Sequence, residues 1–307
     1  MRPEVHPIDP RWPFFSLDLE LTTECDRNCA FCCRHIKREH GEMSESTWNR
    51  ILAEARTHGS RIAFSGMGDP LRHPHWQEWL AQAREARLTA GVVVPGGSLS
   101  VSVVEKLIQI HPSFVEVSCP TLRAPLYQQL QPRDDLPRVI EHIRSLRQTG
   151  GARFPLVVVG LLTRLNQDEE PAFQRFWNDL GIQARMFPCH SRGHHLLRTD
   201  LILAAPVDAG GCGLMARHSF IAWNGDALAC CHDLDGSTSH GNVKQHSFLE
   251  IGSRRIERVA VATPFELCRG CDEIRRLWPL PAGDSFPNSA SARSRAMRRL
   301  ARTIARF

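Results

Sequence analysis

The sequence predicts an α/β fold, a partial (β/α)6 TIM-like barrel followed by a small cysteine-rich annex with a β-hairpin. Six strand-like segments alternate with helix-like segments between Phe14 and Phe187. Beyond Leu201 the pattern changes to short strands, glycines and cysteines. Strands separated by helices imply right-handed crossovers and a parallel sheet, and the chemistry of such folds lies on the loops that follow the strands. We therefore expect the informative residues at one rim of an open barrel.

Each strand and helix of the barrel has its own sequence pattern. Strands show alternating or continuous apolar residues, and helices show apolar residues three or four positions apart. The first helix is predicted to begin behind Ser44 and to end at Gly59. The predicted strands are FFSLDLEL, RIAFSG, GVVVP, FVEVSC, PLVVVGLL and IQARMF. The predicted helices are ESTWNRILAEARTHG, HWQEWLAQAREARL, SVVEKLIQI, LPRVIEHIRSLRQTG and PAFQRFWNDLG.

The remainder of the chain is predicted to form an annex and a tail. The run FIAWNGDALACC indicates a hairpin that turns at Asn224 and Gly225. We expect the barrel over residues 1–200, the annex over 201–280, and a linker with a basic amphipathic helix over 281–307. The arginine-rich helix could dock an acidic partner, such as an electron donor or a precursor peptide, although such a stripe more often packs on its own domain.

Composition and charge exclude several classes of protein. The 307 residues include 42% hydrophobic and 23% charged residues, which indicates a folded chain. The net charge of +5 comes from scattered arginines and favours solvated faces over nucleic-acid binding. No window has the pattern of a membrane span or a signal peptide, so we expect a cytoplasmic protein with no membrane partner. Thiols stay reduced in that compartment, and the eleven cysteines therefore indicate metal ligands or reactive thiols before disulfides.

Three cysteines follow the first strand at the spacing C-x3-C-x2-C. Cys25, Cys29 and Cys32 can hold three corners of a cubane iron–sulfur cluster and leave the fourth iron without a protein ligand. An open coordination position is what a catalytic metal centre requires. The alternative is a structural zinc site that joins Cys29 and Cys32 to the pair Cys268 and Cys271. The spacing alone leaves both hypotheses open.

A glycine-rich turn, SGMGDP, follows the second strand. Gly66 and Gly68 allow close approach of the backbone to a ligand. Further rim residues follow the third, fourth and fifth strands, and these are Gly97, Ser118 and Asn166. Taken alone, the turn and these residues are also typical of ordinary strand-to-helix loops.

Together with the cysteine loop, this turn resembles that of the radical S-adenosylmethionine (SAM) enzymes. Their signature is a C-x3-C-x-aromatic-C loop after the first strand of a partial βα barrel, and Phe31 takes the aromatic position here. The resemblance implies a 4Fe–4S cluster on the three cysteines, SAM on its open iron, and an electron donor of the flavodoxin or ferredoxin type. Reductive cleavage of SAM would then give a deoxyadenosyl radical that abstracts hydrogen from the substrate. The residues that the resemblance assigns to SAM are Gly66, Met67, Gly68, Asp69, Gly97, Ser118 and Asn166, with Asp69 in a position where the family usually has Glu.

Four further cysteines resemble the ligands of an auxiliary cluster. Cys212, Cys230, Cys268 and Cys271 make a complete four-thiolate set, which in isolation would favour a zinc ribbon. Beside a radical SAM core they resemble the annex called SPASM, or its shortened one-cluster form called twitch, and imply a second 4Fe–4S cluster. Cys231 could replace Cys230 as a ligand. Full thiolate ligation leaves no position for substrate, so this cluster is expected to accept or relay electrons.

The sequence leaves the substrate open. The leading hypothesis is a radical SAM oxidoreductase that oxidises a small natural product, and enzymes of similarly short layout include an alcohol dehydrogenase of aminoglycoside biosynthesis. The runner-up is a peptide maturase that makes an epimer, a thioether or a carbon crosslink, although the roughly thirteen residues before the first strand are short for a leader-binding domain. A third hypothesis is a zinc-stabilised protein whose basic tail contacts nucleic acid.

Cys189 and Cys119 are candidate hydrogen donors to a substrate radical. They lie at the ends of the sixth and fourth strands, where they could reach the barrel rim. The alternative for both, as for Cys33, is that a buried cysteine behaves as a small hydrophobic side chain.

Overall fold

The structure, a computed structural model, has an open and mostly parallel sheet, which confirms the predicted fold class. It describes residues 16–36, 39–151, 154–206, 211–259, 261 and 263–277. The strands are β1 (Ser16–Glu20), β2 (Arg61–Ser65), β3 (Ala90–Pro95), β4 (Phe114–Ser118), β5 (Leu156–Leu162), β6 (Gln183–Pro188), β7 (His218–Ile221) and β8 (Ala227–Leu228). They pair in the order β6-β5-β4-β3-β2-β1-β7-β8, so β6 and β8 form the two edges.

Five predicted helices follow the first five strands, and three helices were not predicted. The helices of the described residues are α1 (Glu45–His58), α2 (Trp76–Glu85), α3 (Val101–Ile110), α4 (Ala124–Leu130), α5 (Leu136–Gly150), α6 (Glu170–Asp179), α7 (Gly213–Arg217) and α8 (Phe248–Val259). The unpredicted ones are α4, α7 and α8. Helix α8 contains Gly252, which weakens local helix preference, and it forms because its apolar face packs on the annex and the barrel.

The barrel strands alternate between a face that packs on helices and a face that lines the barrel interior. Leu17 and Leu19 of β1 and Val115 and Val117 of β4 are fully buried in the main core. That core includes Trp48 of α1 and Trp79 of α2, whose rings stack with centroids 5.3 Å apart. Burial of one leucine or valine side chain of this core contributes about 1.5–3 kcal/mol relative to exposure. The face of the strands that points away from these helices carries polar residues, and this face borders the candidate site.

The annex continues the barrel sheet. β7 pairs in parallel with β1, where Leu19 lies opposite Ile221, and it pairs antiparallel with β8. This confirms the predicted hairpin. Asn242 stabilises its turn by donating from Nδ2 to Asn224 O (3.1 Å) and to Asp226 Oδ1 (2.9 Å). The pairing of β7 with β1 was not predicted, because the paired segments are about 200 residues apart and leave no local pattern.

The predicted linker and tail helix lie outside the described residues, and the expected boundary between barrel and annex near residue 200 stays a prediction. Within the described ranges, no helix combines the length and the apolar character needed to cross a membrane.

Candidate functional site

The loop after β1 places three cysteines next to one another. Cys32 N–H donates to Cys29 O at 3.0 Å, and Arg27 N–H donates to Cys25 Sγ at 3.4 Å. Burial, followed by the charges of Cys32 and Cys25, raises the pKa of the Cys29 thiol to about 12. All three thiols are half-buried and none is in a disulfide. This donor set fits a metal cluster with a cationic iron–sulfide core, because bound iron would relieve the repulsion between three crowded thiolates.

A buried arginine holds this loop against the barrel. Arg27 donates from Nη2 to Asp135 Oδ2 at 2.8 Å and from Nη1 to Gln131 Oε1 at 3.3 Å. A Cβ at Gly97 would lie 1.3 Å from Arg27 Nη2. Gly97 therefore makes room for Arg27, and its contact with SAM stays a prediction. The guanidinium also lowers the pKa of Cys29, although burial and the other thiols outweigh this effect.

The glycine turn after β2 packs directly on the end of β1, beside the cysteine loop. A Cβ at Gly68 would lie 2.0 Å from Thr22 O, and a Cβ at Gly66 would lie 2.8 Å from Glu20 Cβ. Met67 N–H donates to Glu20 Oε1 at 3.3 Å. Only glycine allows this approach, so the turn and the cysteine loop form one surface. Glu20 is fully buried beneath this turn.

Asp69 uses its carboxylate inside this turn. Its N–H donates to Glu24 O at 2.7 Å, and its Oδ1 accepts from Leu71 N–H at 3.0 Å. The residue is 2% exposed, and burial raises its pKa. One carboxylate oxygen thus caps the following turn, and a direct contact with the amino group of SAM remains a prediction.

Asn166 is fully buried and its amide is fully engaged after β5. Oδ1 accepts from Thr163 N–H and from Thr163 Oγ1, both at 2.7 Å. Nδ2 donates to Leu161 O at 3.0 Å and to Glu169 Oε2 at 2.8 Å. These four bonds are all that a primary amide can make. Asn166 therefore builds the rim, and no polar group of its side chain is left for SAM. Ser118, by contrast, is half-buried at the end of β4.

The second cysteine set lies in an apolar pocket of the annex. Cys212 and Cys230 are at most 9% exposed and pack with the residues Leu214, Met215, Ala216, Ala229 and Val259. The thiol of Cys230 interacts electrostatically with that of its chain neighbour Cys231 and also with those of Cys212 and Cys268. Cys271 N–H donates to Cys268 O at 3.3 Å. His240 contacts Phe265 at the edge of this pocket, and its buried Nε2 has no partner among the described residues. Four thiols and a buried, unpartnered ring nitrogen fit an iron–sulfur cluster, whose sulfides accept hydrogen bonds from an N–H group.

Cys231 faces away from this pocket. It packs against the small cluster of Phe220, Ala222 and Leu228, and its Sγ lies 4.0 Å from both His232 Nδ1 and Arg275 Nη2. The structure therefore brings Cys230, and not Cys231, beside Cys212 and Cys268.

The two candidate hydrogen donors are buried. Cys119 is fully enclosed in the main core, and burial raises its pKa to about 12. Cys189 is 3% exposed in an apolar cluster that also holds Cys33, and burial raises its pKa to about 11. Phe31 and Met67 pack at the edge of that cluster, so Cys189 lies behind the cysteine loop. Their surroundings are typical of packing residues.

The barrel interior contains a group of charged side chains that was not predicted from the sequence. Asp18 of β1 pairs with His218 of β7, and Glu116 of β4 pairs with Arg185 of β6. Arg275 interacts electrostatically with both carboxylates. Burial raises the pKa of Asp18, but the charge of His218 outweighs it and holds that pKa below its usual value. The signal was available, because SLDLE, FVEVS and QARMF each place a charged residue between residues of the core face.

The loop after β6 joins the barrel to the annex. Ser191 donates from its N–H and its Oγ to the two carboxylate oxygens of Asp272, at 2.7 and 2.8 Å. Next to it, His232 Nε2 lies 3.0 Å from Glu273 Oε2, and Arg275 donates to both oxygens of Glu273. Burial raises the pKa of Glu273, but hydrogen bonds from Arg275 and His232 outweigh it and hold that pKa far below its usual value.

His190 completes a group of three potential metal ligands with His232 and Glu273, whose donor atoms lie within 4.8 Å of one another. Arg275 already pairs with both carboxylate oxygens. The guanidinium therefore takes the place that a cation would need, and we interpret this group as an ion-pair network.

Family comparisons agree with this geometry. The family model for the radical SAM superfamily matches residues 19–174, half of the chain, and includes the cysteine loop and the glycine turn. The chain belongs to the radical SAM superfamily. A model for an iron–sulfur cluster-binding domain, SPASM, matches residues 212–272. The cofactors of this radical SAM protein are therefore a 4Fe–4S cluster and SAM, with auxiliary iron–sulfur in the SPASM domain, and the zinc alternative for the annex was wrong.

Two curated relatives match parts of this radical SAM protein. A tungsten-containing aldehyde ferredoxin oxidoreductase cofactor-modifying protein from Pyrococcus furiosus is 25% identical over 179 residues, 55% of this chain and 50% of that protein. PqqA peptide cyclase from Gluconobacter oxydans is 28% identical over 109 residues, 34% of this chain and 30% of that protein. The chain thus spans half or less of the length of these relatives.

A solved structure extends the likeness to the annex. The structure of BtrN in complex with AdoMet and 2-DOIA has a TM-score of 0.61 and covers 85% of this chain and 94% of its own. Its sequence identity is 15%, so this likeness concerns the fold alone.

Proposed function

We propose that this radical SAM protein is an oxidoreductase that removes two electrons and two protons from a small polar natural product, first as one hydrogen atom and then as one electron and one proton. Cys25, Cys29 and Cys32 would hold the SAM-binding cluster. The auxiliary cluster would be held by Cys212, Cys230, Cys268 and Cys271 and would accept the second electron. A flavodoxin or ferredoxin would supply the electron that starts the reaction.

When bound and reduced, the first cluster cleaves SAM and supplies the deoxyadenosyl radical that takes a hydrogen atom from the substrate. The chain's own residues would orient the reactants. The turn from Gly66 to Asp69 would seat SAM beside the cysteine loop, which Arg27 holds through Asp135. Phe31 would shield the loop from solvent.

The grouping of the annex thiols is the observation that carries this proposal. Cys230 interacts with Cys212 and Cys268, and Cys271 follows in the same turn. A cluster with four thiolate ligands has no open position for substrate, and electron transfer is then its remaining chemical role.

The barrel interior supports the substrate class. Asp18, Glu116 and Arg275 act on one another electrostatically from the interior face. Such groups bind hydroxyl and amino groups well and disfavour an apolar ligand. The fold is also similar to that of BtrN in complex with AdoMet and 2-DOIA, over 85% of this chain.

The test uses reconstituted protein without oxygen, a reductant, SAM, and deuterated polyols, aminocyclitols and precursor peptides. An oxidised small molecule with deuterium in deoxyadenosine is expected. Cys230→Ala should still transfer deuterium but should lose most of the oxidised product, because the second electron has no acceptor. Full oxidation by Cys230→Ala would overturn the role of the auxiliary cluster.

Peptide modification is the second candidate, because PqqA peptide cyclase is among the sequence relatives. It predicts deuterium transfer from a labelled precursor peptide and none from polyols or aminocyclitols.

A further inference from the structure

Helix α8 carries a fully buried arginine. Arg255 is 0% exposed and donates to four backbone carbonyls. Nε donates to Met215 O at 2.8 Å, Nη1 to Leu228 O at 2.7 Å, and Nη2 to Ala229 O at 2.8 Å and to His218 O. None of the carboxylates in the described residues pairs with it. A buried cation without a counter-ion costs free energy, so its charge needs an explanation.

The guanidinium lies behind the two segments that carry Cys212 and Cys230. Met215, one of its acceptors, also donates its N–H to Cys212 Sγ at 3.4 Å. Ala229, another acceptor, directly precedes Cys230. The thiols of Cys230 and Cys212 act electrostatically on Arg255. The cation therefore borders the pocket of the second cysteine set.

A four-thiolate iron–sulfur cluster is negatively charged in both oxidation states, and reduction adds one more negative charge. A fixed cation nearby stabilises the reduced state more than the oxidised state. Apolar neighbours such as Leu214 and Val259 keep the local dielectric constant low, which strengthens this effect. Charge and hydrogen bonding around a cluster are known to set its potential.

We infer that Arg255 is a positioning residue whose buried charge raises the reduction potential of the auxiliary cluster. The missing counter-ion of Arg255 is then the cluster itself. This inference deepens the proposed function, on which its catalytic meaning rests. In that function, Cys212, Cys230, Cys268 and Cys271 would hold the cluster that accepts one electron from the substrate radical while the substrate carbon loses a proton. A flavodoxin- or ferredoxin-type partner would then take the electron away.

The experiment isolates the auxiliary cluster. Full-length protein with Cys25, Cys29 and Cys32 replaced by Ala is reconstituted with iron and sulfide, and the cluster is titrated with a reductant and followed by electron paramagnetic resonance. Arg255→Gln keeps hydrogen-bond donors without the charge, Arg255→Met keeps only the stem, and Arg255→Lys keeps the charge. Arg254→Met removes an exposed cation one position earlier on the same helix and is the matched control.

We expect Arg255→Gln and Arg255→Met to lower the electron affinity at least tenfold, which is 59 mV for one electron. Arg255→Lys and Arg254→Met should stay close to the parent. Equal potentials in all variants would overturn the inference, as would a Lys variant that shifts as far as Met.

In one outcome, Arg255→Gln and Arg255→Met both fail to hold a cluster while Arg255→Lys holds one at the potential of the parent protein. That outcome supports the inference, because it shows that the auxiliary cluster needs a positive charge at this position. If Arg255→Lys also fails to hold a cluster, Arg255 is only a structural cross-link and the inference is wrong. No SAM or substrate is present, so these outcomes are independent of whether the protein oxidises a natural product.

Discussion

At the scale of single residues, adjacent cysteines of this chain have different surroundings. Cys32 belongs to the half-exposed loop, whereas Cys33 is buried in an apolar cluster. Cys230 lies in the annex pocket, whereas Cys231 packs towards the barrel interior. Successive side chains of an extended segment point to opposite sides, so two neighbouring thiols rarely reach the same cluster.

This difference predicts the iron content of two variants. Cys230→Ala should lose the auxiliary cluster, about four iron atoms per chain. Cys231→Ala is the matched control and should keep the iron content of the unchanged protein. Iron and sulfide are measured after anaerobic reconstitution. Loss of iron from the Cys231 variant alone would reassign the ligand.

Asp135 predicts how stability depends on pH. Burial raises its pKa, but hydrogen bonds from Arg27, Tyr127 and Arg138 outweigh it and hold the pKa below its usual value. The folded pKa is lower than the unfolded value of about 3.9, so the stabilisation is present above that value and is lost as the pH falls through the folded pKa. Asp135→Asn should therefore lower the free energy of unfolding at pH 7, and should lower it by a smaller amount near pH 3.

Urea unfolding of the apoprotein between pH 7 and 3 measures this dependence. Asp168→Asn is the matched control, because its carboxylate also pairs with an arginine, Arg123, but is 79% exposed. Exposed ion pairs contribute about 0–1 kcal/mol. Equal effects of the two variants at pH 7 would contradict the prediction.

At the scale of secondary-structure elements, the loop after β6 is the link between the barrel and the last two annex cysteines. It contains Arg192, Gly193 and His194, all with positive φ. Ser191 of this loop bonds to Asp272, which directly follows Cys271. The loop thereby fixes the position of the terminal C-x2-C pair.

Asp272→Asn should loosen this link, because an amide presents only one acceptor to the two donors of Ser191. We expect a loss of about 1–3 kcal/mol in the free energy of unfolding. We also expect faster loss of iron from the auxiliary cluster to a chelator than from the SAM-binding cluster. Asp200→Asn, an exposed carboxylate that pairs locally with Arg198, is the control. Equal chelation rates for both variants would contradict this role.

At the scale of the whole molecule, one sheet connects both cysteine sets. β1 leads into the loop of Cys25 and also pairs with β7, the first strand of the annex hairpin. Asp18 and His218 pair across these two strands, and Glu116 and Arg185 face the same interior. These charged side chains therefore lie on strands of the same sheet that connects the two proposed cluster sites.

This arrangement predicts two clusters with separable roles. Reconstituted protein should be brown with about two cubane clusters, and reduction with SAM should release deoxyadenosine. Cys29→Ala should abolish this release, because the open iron site is lost. Cys33→Ala changes the adjacent buried thiol and should retain the release. Release of deoxyadenosine by the Cys29 variant would disprove the assignment of Cys29 as a ligand. A total of only one cluster in the unchanged protein would disprove the presence of an auxiliary cluster in the annex.

The sequence by itself determined the six-strand alternation, the C-x3-C-x2-C loop, the glycine turn and the annex hairpin, because each is written in a short local pattern. Three features were decided only by the tertiary structure. Gly97 makes room for Arg27, and the side-chain amide of Asn166 forms its hydrogen bonds in and beside its own loop. Cys230, rather than Cys231, lies beside Cys212. The pairing of β7 with β1 and the burial of Arg255 beside the thiols of Cys212 and Cys230 are likewise visible only in the tertiary structure. These features depend on contacts between segments far apart in the chain, and such contacts leave no periodicity in the sequence around either partner.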